Sequence, residues 1–206
     1  MLEIGLILVG SYLATMLATY LPPRAAASEA VGYEYTFERM AMTGWTTYQL
    51  RRQIFSIGED FWVQNTEGEN VYKVDGKVLV LTQTFALQDA NGNELARMQK
   101  EMLTLRKTMD VERDGQVVAV VKKAFFNILS QHFDIDVAGS GALEAQGDIL
   151  NHEFQITGGG QVVASVSRQW FVGDMFYGVA VAPGQDDVLL LCIAICIDEM
   201  SESDRH

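Results

Sequence analysis

The side chains best suited to bind a ligand are basic and come in adjacent pairs. Arg51-Arg52, Arg106-Lys107 and Lys122-Lys123 stand out in a chain whose charges are mostly acidic. Successive side chains of a strand point to opposite faces, so one member of each pair would face outward. Convergence of the pairs would create a site for a phosphate group, whereas dispersed pairs would be ordinary surface charges. The predicted ligand-binding patch contains Arg51, Arg52, Arg97, Lys100, Arg106, Lys107, Lys122 and Lys123.

Acid–base catalysis would need a histidine near a carboxylate, and one strand offers that pattern. His132, Asp134 and Asp136 would share one strand face, which could hold a cation or pair the imidazole with a carboxylate. The residues between them are apolar, so we interpret this face as solvated and the opposite face as core. His152 follows a predicted turn, and a turn or capping role explains it. We therefore predict no catalytic residue and no metal site.

The charge balance and the cysteines restrict the function further. With 15 lysine and arginine residues against 27 aspartate and glutamate residues, the formal charge of the 206-residue chain is −12. Such a chain lacks the basic face that nucleic acid requires, and general adsorption to anionic lipid is disfavoured too. Cys192 and Cys196 share one helical face, form no disulfide framework and fit a reducing compartment. With no histidine near them in sequence, we interpret them as packing residues, and no cofactor is predicted.

An uncharged stretch near the C-terminus predicts the element that the rest of the fold surrounds. Val188 to Ile197 carry no charge, and Asp186 and Asp187 precede them. Carboxylates suit a helix N-terminus because they accept hydrogen bonds from backbone N–H groups there. A helix that is apolar all round must be buried, and this one is too short to cross a bilayer. A buried β-strand is the alternative, because the isoleucines of the stretch alternate.

A second uncharged segment spans residues 4–21. As a helix rising about 1.5 Å per residue, it is just long enough to cross a bilayer. Arg24 and Arg39 follow it, and the positive-inside rule then places the rest of the chain in the cytoplasm, anchored to the inner face of the membrane. A cleaved signal peptide is one alternative. A spurious extension, with translation starting at Met40 or Met42, is another.

From Tyr48 onward the hydrophobic period is two, which predicts about a dozen short strands joined by turns. Asp75-Gly76 and Asp114-Gly115 are predicted hairpin turns, and Leu103 to Arg106 is predicted as a strand. Gly158 to Gly160 is interpreted as a turn, since the lysine and helix of a phosphate-binding loop do not follow. The pattern predicts a mainly β fold, a closed antiparallel barrel around the buried C-terminal helix, with an additional N-terminal apolar helix.

The predicted domain organisation follows these patterns. Residues 1–23 form a membrane anchor or a spurious extension, and residues 24–47 form a linker. The barrel domain spans residues 48–200, and residues 201–206 form a tail.

An ordered series of short motifs spans the predicted barrel: Tyr48 to Arg52, Gly58 to Trp62, Val71 to Gly76, Asp89 to Leu95, Gln146 to Phe154, Val166 to Trp170 and Tyr177 to Asp187. This series resembles the LURP-one-related family, part of the tubby C-terminal-like superfamily that includes the phospholipid scramblases. The resemblance implies a closed antiparallel barrel around a central C-terminal helix, and it brings no catalytic residues with it. The phosphoinositide-binding motif of tubby proteins has no residue-by-residue match here. The cysteine-rich segment and the calcium motif of scramblases are missing from the sequence.

The predicted function is a non-enzymatic, membrane-associated, tubby-like barrel that binds a lipid head group or a protein partner. Its contact with the membrane would run through residues 4–21, if that segment is genuine, and Lys122-Lys123 with the following Phe125-Phe126 would suit a membrane surface. The first alternative is a soluble cytoplasmic scaffold or stress-related domain. The second alternative is an enzyme with a pocket at one end of the barrel.

Overall fold

The computed structural model describes residues 44–51, 60–79, 82–101, 104–124, 131–168, 170 and 176–202. The predicted N-terminal helix and most of the predicted linker lie outside these residues. Within the described residues, no helix has both the length and the apolar character needed to span a bilayer.

The described chain is a run of strands followed by one α-helix. The strands are β1 Thr46–Arg51, β2 Phe61–Asn65, β3 Asn70–Leu79, β4 Thr82–Asp89, β5 Glu94–Lys100, β6 Thr108–Arg113, β7 Gln116–Lys123, β8 Gln131–Val137, β9 Gly141–Asp148, β10 Glu153–Gly158, β11 Gln161–Ser167 and β12 Phe176–Val181. A short 3-10 helix, Ile149–Asn151, separates β9 from β10. The helix α1, Asp187–Glu202, follows β12.

These strands form one closed antiparallel barrel. Each strand pairs with its neighbours in sequence, and the order around the barrel is β1-β12-β11-β10-β9-β8-β7-β6-β5-β4-β3-β2. Pairing of β1 with both β12 and β2 closes the ring. Closure gives each of the described strands a neighbour on both sides. The predicted mainly β closed barrel is therefore confirmed.

Side chains of the strands and of α1 fill the barrel together. Alternate residues of β6 and β7 point inward, so that Met109, Val111, Ala119 and Val121 are fully buried. Residues 191–197 of α1 are at most 1% exposed. A helix without a polar face can be buried in this way only if strands surround it. The predicted buried helix is confirmed, and the alternative of a buried strand is wrong.

The two Asp-Gly dipeptides adopt different conformations. Asp114 (φ 51°) and Gly115 (φ 73°) form the tight turn between β6 and β7, as predicted. Asp75 and Gly76 instead lie within β3, where both pair with β4. The turn favoured by Asp-Gly requires positive φ at both residues, and Gly76 is not among the described residues with positive φ. The predicted hairpin at Asp75-Gly76 is therefore wrong.

The predicted strand between β5 and β6 is also wrong where it is described. Residues 104–106 form an irregular loop. The hydroxyl oxygens of Thr104 and Thr108 both donate to the backbone carbonyl of Arg106, over 2.6 and 3.1 Å. Such hydroxyl bonds use a backbone acceptor that a strand would need for its own ladder.

The barrel has two ends, named here after the ends of α1. At the N-end, Asp187 of α1 accepts a hydrogen bond from the Tyr48 hydroxyl over 2.6 Å. At the C-end, Lys107 Nζ donates to the backbone carbonyl of Met200 over 3.5 Å. Because consecutive strands run in opposite directions, the β5–β6, β7–β8 and β9–β10 connections all lie at the C-end.

Candidate functional site

Most of the predicted basic patch lies at the C-end of the barrel, on three neighbouring strands. Lys100 is the last residue of β5, Arg106 and Lys107 precede β6, and Lys122 and Lys123 end β7. The backbone N–H of Lys123 donates to the carbonyl of Lys107 over 3.0 Å, and Lys100 pairs with the second residue of β6. The fold thus brings five residues together, and we call Lys100, Arg106, Lys107, Lys122 and Lys123 the basic cluster.

The other predicted patch residues lie apart from the basic cluster or outside the described part of the chain. Arg51 ends β1 at the C-end, but β1 lies across the barrel from β6. The side chain of Arg51 and the whole of Arg52 fall outside the described residues. Arg97 lies further along β5 on the outer face, where its guanidinium donates two hydrogen bonds of 3.0 Å to Glu94.

Two members of the basic cluster form ion pairs on the outer face of the barrel. Arg106 Nη1 lies 3.5 Å from Asp134 Oδ2, and Lys122 Nζ lies 2.7 Å from Asp136 Oδ2. The Arg106 and Lys122 side chains are 42% and 36% exposed. Exposed ion pairs of this kind contribute about 0–1 kcal/mol. Both cations therefore remain accessible to an incoming anion at little cost.

Lys107 and Lys123 of the basic cluster contact residues nearer the core. Lys107 reaches the last turn of α1 through its contact with Met200, where a cation offsets the negative end of the helix dipole. Lys123 Nζ lies 5.8 Å from the centre of the Phe133 ring, within the range of a cation–π contact. Through these contacts, Lys107 is held against α1 and Lys123 against β8.

Acidic side chains border the basic cluster. Burial, together with a hydrogen bond that the protonated Asp110 donates to Glu101, raises the pKa of Asp110 to about 6. The nearby Lys122 ammonium opposes this rise, with a smaller effect. The negative charge beside the basic cluster therefore decreases as the pH falls through about 6.

A second group of polar side chains is buried at the C-end. His152 and Asp198 are only 2% and 4% exposed, and their Nε2 and Oδ1 atoms are 2.6 Å apart. The ring centre of Tyr177, from β12, lies 4.5 Å from that of the imidazole. Because the carboxylate can only accept, His152 Nε2–H donates this hydrogen bond. We call His152, Tyr177 and Asp198 the buried cluster.

The local backbone explains how His152 reaches α1. His152 caps the C-terminus of the 3-10 helix in the left-handed conformation, with φ 57° and ψ 41°, and its N–H donates to the carbonyl of Ile149. Asp148 caps the other end, because its carboxylate accepts from the backbone N–H of Asn151. Positive φ is uncommon for residues other than glycine. The predicted capping role of His152 is confirmed, and its buried contact with Asp198 is an addition.

Hydrogen bonding within the buried cluster is incomplete. His152 Nδ1, Tyr177 Oη and Asp198 Oδ2 have no hydrogen-bond partner among the described residues. Burial, and then the charge of Asp198, raises the pKa of Tyr177, so the phenol stays protonated. A histidine–carboxylate pair suits acid–base catalysis in principle. Here both side chains are almost fully buried, so no substrate atom reaches them in this conformation.

Comparison with known proteins assigns the barrel domain to a family. Residues 46–198 match the model of the LURP-one-related family, which confirms the resemblance seen in the sequence. The chain belongs to this family. It is 25% identical over 162 residues to "Uncharacterized protein YxjI" of Bacillus subtilis (strain 168), which covers 76% of this chain and 94% of that protein. The X-ray structure of a protein from Arabidopsis thaliana matches with a TM-score of 0.57 at 17% identity, covering 76% of this chain and 91% of that one, and supports the fold.

The other catalytic candidates of this LURP-one-related chain lie on its outer surface. His132 Nε2 is 3.0 Å from Asp134 Oδ1, and both side chains are partly exposed, whereas Phe133 and Ile135 are fully buried. The predicted solvated face of β8 is therefore confirmed. Across the described residues, no group of three or more histidine, cysteine, aspartate or glutamate side chains is placed to hold a metal ion.

Both cysteines of the LURP-one-related domain are free thiols in the core. Cys192 and Cys196 are fully buried on α1, as expected for packing residues. Burial raises the pKa of the Cys192 thiol to about 12 and that of Cys196 well above its ordinary value. Only the thiolate is nucleophilic, so both side chains are unreactive in the folded protein.

The N-end of α1 uses its two aspartates in different ways. Asp186 Oδ1 accepts from the backbone N–H of Leu189 over 3.0 Å, which confirms the predicted cap. Its carboxylate also accepts two hydrogen bonds from the guanidinium of Arg113, and these hold the pKa of Asp186 below its ordinary value. Asp187 instead accepts from the Tyr48 hydroxyl, and burial, followed by this contact, raises the pKa of Tyr48.

Proposed function

We propose that this protein is a non-catalytic barrel that binds a phosphate-bearing lipid head group through the basic cluster at its C-end. The observation that carries the proposal is the convergence of five basic residues from β5 to β7 in a chain with a formal charge of −12. A local basic cluster on an acidic protein favours a specific anionic partner over general adsorption to negative surfaces.

The ion pairs of the basic cluster are compatible with such a ligand. Arg106 and Lys122 are partly exposed, and their described ion pairs are with the carboxylates of Asp134 and Asp136. A phosphate group could replace these carboxylates, because charge-assisted hydrogen bonds to phosphate are at least as strong as an exposed ion pair. His152 and Asp198 of the buried cluster are too buried to meet a substrate, which supports the non-catalytic part of the proposal.

Co-sedimentation of the full chain with vesicles tests the proposal. Vesicles of phosphatidylcholine, with and without phosphatidylserine, would be compared for the wild type and for the Arg106→Gln/Lys122→Gln variant. Each basic residue near an anionic surface contributes about 1 kcal/mol, so the double variant should bind the anionic vesicles about thirtyfold more weakly. Any binding through residues 4–21 would be the same in both proteins.

A matched control has the same charge change elsewhere on the barrel. Lys73 and Arg97 also form exposed ion pairs, with Asp60 and Glu94, outside the basic cluster. The Lys73→Gln/Arg97→Gln variant should keep the wild-type preference for anionic vesicles. Equal losses in the two double variants would contradict the proposal.

Competition with inorganic phosphate distinguishes a lipid head group from a soluble phosphate as the ligand. Loss of vesicle binding at low phosphate concentration would indicate a soluble anion.

A further inference from the structure

The most exposed large apolar side chain described is next to the basic cluster. Leu105 is 96% exposed, whereas the other exposed large apolar residues of the described chain, Trp62 and Val117, are 41% and 43% exposed. Isolated exposed leucines are common on proteins, so exposure alone indicates nothing. The position of Leu105 is informative because Arg106 follows it directly, in the loop between β5 and β6.

Hydrogen bonds among the described residues 104–108 hold the backbone next to Leu105. Thr104 Oγ1 donates to the carbonyl of Arg106 over 2.6 Å, and Thr108 Oγ1 donates to the same oxygen over 3.1 Å. The backbone N–H of Glu101 donates to the carbonyl of Thr108 over 3.0 Å and closes the base of the loop. The apolar side chain is therefore presented to solvent by a loop that is already hydrogen-bonded.

The charges around Leu105 suit an anionic surface more than an apolar protein partner. Arg106 and Lys107 follow it in the chain, and Lys100 ends the strand that leads into the loop. Acidic groups near the loop include Glu101 at its base, Asp110, which contacts Glu101, and Asp134, which pairs with Arg106. An apolar tip beside cations matches a membrane interface, where hydrocarbon lies just below the anionic head groups.

We propose that Leu105 inserts into the boundary between head groups and acyl chains of an anionic bilayer. This inference rests on the proposed function and goes further, because it makes an intact bilayer the partner rather than a head group alone. The basic cluster would hold the C-end against the surface while Leu105 leaves water. Transfer of a leucine side chain from water favours binding by about tenfold or more.

Site-specific fluorescence on the full chain tests insertion. The native cysteines are fully buried, so a Leu105→Cys variant of the folded protein can be labelled at this position with an environment-sensitive fluorophore. We expect a blue shift on addition of phosphatidylcholine–phosphatidylserine vesicles. Val117→Cys, at the exposed start of β7 at the N-end, is the matched control and should show no shift. Equal shifts, or no shift at Leu105, would overturn the inference.

A second variant separates this inference from the proposed function. Leu105→Ser should bind anionic vesicles about tenfold more weakly, with an unchanged melting temperature, while Val117→Ser binds as the wild type does. If Leu105→Ser binds normally and Arg106→Gln/Lys122→Gln does not, then insertion is wrong and head-group binding stands. If both variants bind normally, then both proposals are wrong.

Discussion

The two ends of α1 handle their acidic side chains in opposite ways. At the N-end, Asp186 is exposed and pairs with Arg113, and its carboxylate also caps the helix. At the C-end, Asp198 and Glu199 are each only 4% exposed, and the last turn of α1 contains no basic residue of its own. Acidic side chains of the same kind thus lie at the surface at the N-end and in the interior at the C-end.

The acidic side chains at the C-end of α1 depend more on partners from the rest of the fold than those at the N-end do. Carboxylates stabilise the start of a helix and destabilise its end, because the helix dipole is positive at the start and negative at the end. The N-end carboxylates are therefore favourable even without partners, although Arg113 and Tyr48 from distant strands also donate to them. The C-end carboxylates need donors from elsewhere in the chain, such as His152, which is 46 residues from Asp198 in sequence.

Loss of His152 tests this dependence and should have the largest effect. His152→Ala leaves the buried carboxylate of Asp198 without its donor, and breaking a buried pair in this way costs about 3–5 kcal/mol. The free energy of unfolding from urea titration measures the loss. The His152→Ala/Asp198→Ala variant should lose less than the sum of the two single losses, because the buried charge is gone.

His132 provides the matched control for His152. His132 also contacts an aspartate through Nε2, but on the partly exposed outer face. His132→Ala should therefore cost less than about 1 kcal/mol. Similar losses for the two histidine variants would show that burial does not distinguish the two contacts.

At the N-end, the Asp186→Ala variant should have a smaller effect. Loss of a helix N-cap costs about 0.5–2 kcal/mol. Because the Arg113 guanidinium lowers the pKa of Asp186 below the ordinary 3.8, its contribution to stability is present above 3.8 and is lost as the pH falls through the folded-state value. Asp186→Asn should be less stable than the wild type at neutral pH, and the difference should shrink in acid. A difference that is constant with pH would contradict this account.

Two tyrosines provide the smallest and most direct comparison of the ends. Tyr48→Phe at the N-end removes a hydrogen bond to Asp187 and should cost about 1 kcal/mol. Tyr177→Phe at the C-end removes a buried hydroxyl that lies near Asp198 but makes no hydrogen bond of good geometry with a described residue, so it should cost less than Tyr48→Phe. The urea concentration at the unfolding midpoint measures both changes, provided that the dependence of the unfolding free energy on urea is the same in all variants. A larger loss for Tyr177→Phe would show that its hydroxyl is hydrogen-bonded after all.

The sequence predicts the features of this fold that depend on pattern. The two-residue periodicity and the helix with no polar face were sufficient to predict a closed barrel around α1, because few other arrangements bury such a helix. Asp114-Gly115 was predicted correctly as a turn, whereas Asp75-Gly76 was not. The same dipeptide is extended in β3 because the flanking residues continue the ladder with β4 on both sides. Local propensity cannot report that long-range pairing.

The candidate site was predictable only in part, for the same reason. The basic pairs could be seen in the sequence, but whether they converge depends on which strands are neighbours, and the position of β1 across the barrel from β6 had no local signal. The contact between His152 and Asp198 joins a turn to a helix far along the chain, and sequence offered only the capping role. The exposure of Leu105 was missed because Leu103 to Arg106 was interpreted as a strand.

The order of the elements has a consequence during synthesis. The closing strand β12 and the helix that fills the interior are the last described parts of the chain to emerge from the ribosome. Until they do, the inner faces of the earlier strands have nothing to enclose, and the nascent chain exposes apolar surface that favours aggregation. A nascent chain that has emerged only as far as Val181 would therefore expose the described strands without the helix that fills the barrel, and we expect chaperones to bind that intermediate.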